Sequence, residues 1–186
     1  MNKELNAFWD MDGVLFKYER NDYVGEYPAY ASPKYFENRP IDVIAYEMFN
    51  SMHSNNNING LYILSRGSSH LPDEEVRMRT IIDKKTNIRN QIPWFNIDNT
   101  IISNDAKVEA FIERFGRVPT KTDFLIDDFN VNLTSWSAAG GSAIKYVNGV
   151  NTANSYAGPK LIDGKLVDVP CGEEILYGRL KLSIES

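Results

Sequence analysis

Four short apolar runs in this chain each lead directly into side chains that can do chemistry. Ala7-Phe8-Trp9 ends on Asp10, with Asp12 and Gly13 next, and Leu61-Tyr62-Ile63-Leu64 ends on Ser65. Thr100-Ile101-Ile102-Ser103 is followed by Asn104-Asp105-Ala106-Lys107, and Phe124-Leu125-Ile126 ends on Asp127-Asp128. Carboxylates gathered in one place repel and resist ionisation unless a cation sits among them. Hard oxygen donors of this kind suit Mg²⁺, which also takes waters and substrate phosphate as ligands. A carboxylate can attack phosphorus to form an aspartyl-phosphate. A hydroxyl and an ammonium are suitable donors to the phosphoryl oxygens. A second acid two residues beyond the nucleophile can exchange protons with the leaving group and then with water.

The apolar runs read as buried strands, and the segments between them as helices. Pro40 is placed to open a helix with Ile41, Ile44, Ala45, Met48 and Met52 on one face, stopped by Asn55-Asn56-Asn57. Asp73-Glu74-Glu75 begins another, with Lys84-Lys85 expected in its last turn. Val108, Phe111, Ile112 and Phe115 share a third face, closed by Gly116. A short helix over residues 133–139 and a fifth strand over 143–147 complete the alternation. Strands alternating with helices predict an α/β fold with a parallel sheet covered on both faces. In such sheets ligands bind outside the carboxyl ends of the strands. Asp10, Ser65, Lys107, Asp127 and Asp128 are all expected at that edge. Two stretches stand apart: an irregular, aromatic-rich one over 16–40, and a tail in which Asp163-Gly164 predicts a hairpin.

The 186 residues suit one domain with a small insertion. A net charge of −5 and pI near 5.1 argue against long nucleic acid or a membrane surface as partner. The single Cys171 excludes an intramolecular disulfide, and is expected to be a half-buried filler. No run approaches a membrane span and the start is unlike a signal peptide, so the cytoplasm is the expected location.

Phe8-Trp9-Asp10-Met11-Asp12-Gly13-Val14-Leu15 resembles the first motif of the haloacid dehalogenase-like (HAD) superfamily. Ser65 after its strand looks like the second motif, Lys107 the third, and Leu125-Ile126-Asp127-Asp128 the fourth. The four occur in order across residues 6–128. The resemblance implies a Rossmann-like core over 1–16 and 41–150, a cap insertion over 17–40 and an extension over 151–186. It implies Asp10 as nucleophile and metal ligand, and Asp12 as general acid/base with its backbone carbonyl on the metal. Ser65 and Lys107 would hold phosphate, while Asp127 and Asp128 complete a Mg²⁺ site. The motifs and the insertion are most similar to the 5′(3′)-deoxyribonucleotidase-like group. That implies a phosphomonoesterase for nucleoside monophosphates, with aromatics of the insertion over the base.

The insertion's aromatics, Tyr18, Tyr23, Tyr27, Tyr30, Tyr35 and Phe36, can equally pack its own core. Lys107 is preferred to Lys121 and to Lys84-Lys85, which are expected on a solvated face or at a helix end. Asp105 is expected to cap the helix after it, Arg66 either to touch phosphate or to face solvent, and His53 and His70 to be exposed. The same chemistry on another small phosphate, or on a nucleic-acid 3′-phosphate end, stays open, as does a non-catalytic phosphate-binding module. Homodimerisation is also left open.

Overall fold

The computed structural model describes residues 5–17, 23–24, 27–28, 31–68, 71, 73–151 and 156–184. Its centre is β1 (Leu5–Trp9), a strand buried along most of its length. The chain then passes through β2 (Tyr23–Val24) and β3 (Tyr27–Pro28), a small antiparallel pair, before α1 (Val43–His53) and β4 (Ile58–Arg66). Next come α2 (Glu74–Gln91), β5 (Thr100–Ser103), α3 (Lys107–Phe115), β6 (Asp123–Asp127), α4 (Asn130–Ala138) and β7 (Ser142–Tyr146). β8 (Lys160–Ile162), β9 (Lys165–Val167) and α5 (Glu174–Ile184) end it. The seven-stranded sheet runs β5-β4-β1-β6-β7-β8-β9, parallel except for β9. This is a Rossmann-like α/β core.

Alternation along the central strands divides the interior in two. Ala7, Trp9, Ile63, Phe124, Ile126 and Ile144 pack on one side with Ala45, Met48, Phe49 and Met52 of α1, Ile88 of α2, and Tyr177 and Leu180 of α5. Phe8, Leu64, Leu125 and Ala143 pack on the other with Ala110 and Phe111 of α3 and Leu133 and Trp136 of α4. Trp9 and Trp136 are fully buried. Burial of each such side chain contributes roughly 1.5–3 kcal/mol, which holds the strand ends in fixed register.

Several helix boundaries differ from the sequence expectation. Pro40 does not open α1; Asp42 caps it, accepting from the Ala45 amide, while Ile41 bridges to Phe16 outside the helix. Ile44 is exposed rather than part of the buried face. α2 does not stop at Lys84-Lys85 but runs on to Gln91. Its largely polar sequence offers no apolar stripe from which to judge its length. Ala106, not Asp105, stands at the N-cap of α3 and makes no side-chain cap; Asp105 turns back instead to Ser103. α4 begins at Asn130, directly after the paired acids. The hairpin forms as expected, with positive φ at Asp163 and Gly164, and α5 beyond it was not foreseen. No described helix is long and apolar enough to cross a membrane.

Within the insertion, residues 31–40 lie along α2 of the same chain. Ala31 O accepts from Arg79, Lys34 N donates to Asp83, and Arg39 O accepts from Asn87 and Gln91. Tyr18, Tyr30 and His70 lie outside the described residues.

Candidate active site

The loop after β1 is the foundation of the site. The Asp10 amide continues the ladder by donating to Ile126 O, and the chain folds back through Phe16 N to Met11 O. Gly13 sits at φ +80°, and a Cβ there would lie 2.3 Å from Asp128 Oδ2. Both the left-handed backbone and the close approach demand glycine. Asp-x-Asp-Gly is thus a packing requirement as well as a chemical motif, because Gly13 lets the first loop reach the paired acids.

Asp10, Asp127 and Asp128 are buried, and each offers a carboxylate oxygen within 4.8 Å of the others. Lys107, from the first turn of α3, places Nζ 2.7 Å from Asp10 Oδ1 and 2.6 Å from Asp127 Oδ2. Burial, followed by the field of Asp127, pushes the Asp128 carboxyl up to about 6. Asp10 is raised well above the usual carboxylate range, chiefly by burial, with Lys107 opposing and Asp127, Asp12 and Asp128 adding. Burial works to lower Lys107, but Asp10 and Asp127 together hold it above its ordinary value.

These residues fit a divalent cation. Three ionised carboxylates against one ammonium leave a deficit of two positive charges, in a pocket where burial resists ionisation. All donors are hard oxygens. The same carboxylates are held from behind. Asp127 accepts from the Phe129 amide at 2.7 Å and from Asn132 at 2.9 Å, while Asp128 Oδ2 accepts from Asn148 at 2.7 Å and Asn151 at 2.8 Å. Lys145 Nζ anchors the Asp128 carbonyl at 2.6 Å.

Asp12 and Ser65 form a second, adjoining group organised by a residue expected elsewhere. Lys84 is not on a solvated face; it is buried, with Nζ 2.5 Å from Asp12 Oδ2, 3.0 Å from Ser65 Oγ and 2.6 Å from Arg66 O. Those contacts use the three donors of an ammonium. Ser65 Oγ also lies 3.4 Å from Asp12 Oδ2. Phe36 is buried, and its ring lies 4.5 Å from Lys84 Nζ, so the insertion reaches this group.

All six expected site residues therefore converge where the strands end, with Asp10, Asp127, Asp128 and Lys107 in one group and Asp12 and Ser65 in the other. The Asp12 carboxylate faces Lys84 rather than joining the buried trio. The remaining alternatives resolve simply. Lys121 is exposed and pairs with Glu173, Arg66 and His53 are exposed, and Cys171 is exposed rather than half-buried. Reasoning from sequence missed Lys84, Asn132, Asn148 and Asn151. Nothing in their local sequence marks them, because each matters only through where its element crosses the strand ends. Compared with known proteins, the chain matches no family model and no curated sequence.

Proposed function

We propose that the protein is a Mg²⁺-dependent phosphomonoesterase of the HAD type, acting on nucleoside monophosphates and by preference on deoxyribonucleotides. The observation that carries this reading is the buried trio Asp10, Asp127 and Asp128 sharing the Lys107 ammonium at the ends of adjacent parallel strands. Magnesium bound by the trio would neutralise the carboxylates and draw charge from the phosphoryl oxygens.

Asp10 is the nucleophile in this reading. Its carboxylate oxygen forms a bond to phosphorus as the bond to the leaving alkoxide breaks, and Asp12 gives that alkoxide its proton. Asp12 then takes a proton from the water that attacks phosphorus, releasing phosphate and restoring Asp10. Lys107 and Ser65 donate to the phosphoryl oxygens, and positioning supplies most of the rate. Lys84 holds Asp12 and Ser65 in mutual register and adds a positive charge beside the phosphate. Phe36, buried against Lys84, brings the insertion to the edge of this group, where a substrate's leaving group would lie.

The test is phosphate release from nucleoside 5′- and 3′-monophosphates, sugar phosphates and an aryl phosphate, with and without Mg²⁺. Wild-type protein is expected to hydrolyse nucleotides only with metal, and Asp10→Asn to lose at least about 10³-fold in kcat. Undiminished turnover by Asp10→Asn would remove the proposed nucleophile. Metal-dependent turnover confined to the aryl phosphate would keep the mechanism and reject the substrate.

A further inference from the structure

A separate cavity of about 440 Å³ opens beside β5 and is lined by Lys85, Arg89, Ile97, Asp98, Thr100 and Arg114. Lys85 and Arg89 stand one turn apart on α2, so they present one face. Arg114 comes from the last turn of α3, and Thr100 opens β5, the edge strand of the sheet. The carboxylate cluster lies beyond the carboxyl ends of the strands, whereas Thr100 is the first residue of its own. No lining residue belongs to the candidate active site. Lys84 and Lys85 are chain neighbours, yet one serves the Asp12 group and the other this cavity.

Three cations here face one acid, in a chain whose net charge is −5. Among the described residues neither Lys85 nor Arg89 has an ion-pair partner, and Arg114 donates to the backbone carbonyl of Asp98 at 3.3 Å. Thr100 Oγ1 is shut away from solvent without a hydrogen-bond partner. Guanidinium groups suit the oxygens of a phosphate, which they can bind in pairs of hydrogen bonds. The volume falls within the roughly 300–1,000 Å³ typical of small-molecule sites. A polynucleotide would need a longer basic track, and the acidic chain opposes one.

We propose that this cavity is a second, non-catalytic binding site for the phosphate group of a small phosphorylated molecule. The claim is independent of the proposed hydrolysis. Its test follows the side-chain Nε–Hε signals of Arg89 and Arg114 by ¹⁵N NMR during titration with inorganic phosphate or a nucleoside monophosphate. Ionic strength is matched with chloride, and EDTA removes metal-dependent capture at the carboxylates. Saturable shifts of both signals are expected, retained in Asp10→Asn. Saturation by free phosphate would identify the ion itself as sufficient; saturation by the nucleotide alone would identify an organic phosphate. Arg89→Ala, at an exposed position, is expected to weaken binding about tenfold while leaving Mg²⁺-dependent turnover unchanged. Shifts that follow ionic strength alone, without saturation, would overturn the site. So would saturation by a single-stranded oligonucleotide and by neither small probe.

Discussion

Lys84 and Lys107 are both buried ammonium groups at the candidate site, but they keep different company. Lys107 lies between Asp10 and Asp127, within the proposed metal-binding trio, whereas Lys84 joins Asp12 to Ser65 and to the Arg66 carbonyl. Lys84→Met keeps much of the buried volume and removes the charge. It is expected to lower kcat on the order of a hundredfold, the scale of losing one preorganised donor to a phosphoryl or acyl oxygen. Steady-state kinetics on the best substrate would check this, and unchanged kcat would make Lys84 a purely structural cation. Gly13 gives a prediction of a different kind. Gly13→Ala puts a methyl group into the Asp128 carboxylate and strains a φ of +80°. Loss of Mg²⁺ binding, measured by calorimetry, should accompany a destabilisation of about 1–3 kcal/mol.

At the scale of elements, the site depends on strands held in register from their opposite ends. Asp123 opens β6 and accepts from Arg117 at 2.6 and 2.8 Å, from Asn6 of β1 at 2.9 Å and from the Thr120 amide at 2.8 Å. Burial works to raise its carboxyl, but Arg117, Asn6 and Thr120 together hold it below the ordinary value of 3.8. The ionised form is thus stabilised on folding. Its contribution is complete above pH 3.8 and is lost as pH falls through the lower folded-state value. Asp123→Asn should therefore cost about 1–3 kcal/mol at neutral pH, with the gap to wild type closing in acid. Urea melts across pH 2–7 would show it, and a gap that stays constant with pH would contradict the assignment. The asparagines at 148 and 151 follow β7 and hold Asp128 from the side. Asp128 is thus oriented by a segment just beyond β7, whereas Asp127 is held by the start of α4.

For the molecule as a whole, the carboxylate cluster is a concentration of like charge that folding must accept. Burial and mutual repulsion raise Asp10 and Asp128, so the metal-free fold carries a penalty that a divalent cation would relieve. A ligand that binds only the folded state at a hundred times its dissociation constant adds about 2.7 kcal/mol. For a chain of this length that corresponds to a rise in Tm of roughly 5–10 °C. Thermal melts with Mg²⁺ and with EDTA should differ by about this much, and Asp128→Asn should abolish most of the difference. Equal melting temperatures for wild-type protein would argue against a metal centre whether or not the protein is a catalyst.

Much of the site was legible in the sequence because an α/β sheet turns a one-dimensional pattern into a place. An apolar run ending in Asp10, Ser65 or Asp127-Asp128 defines a strand and its carboxyl end, and parallel pairing brings those ends together. Lys107 was legible for the same reason, since it opens the helix that follows the edge strand β5. Lys84 was not. It lies in the middle of a helix that lacks an apolar stripe, so neither the helix's length nor its buried side could be read from spacing. Only the packing of α2 beside the strand ends, with residues 31–40 laid along it, turns that lysine inward. The alternation of strands and helices and the parallel sheet it implies followed from local sequence; the strand order and the partners of each buried charge were decided by tertiary structure, because they join elements that are neighbours only once the chain has folded.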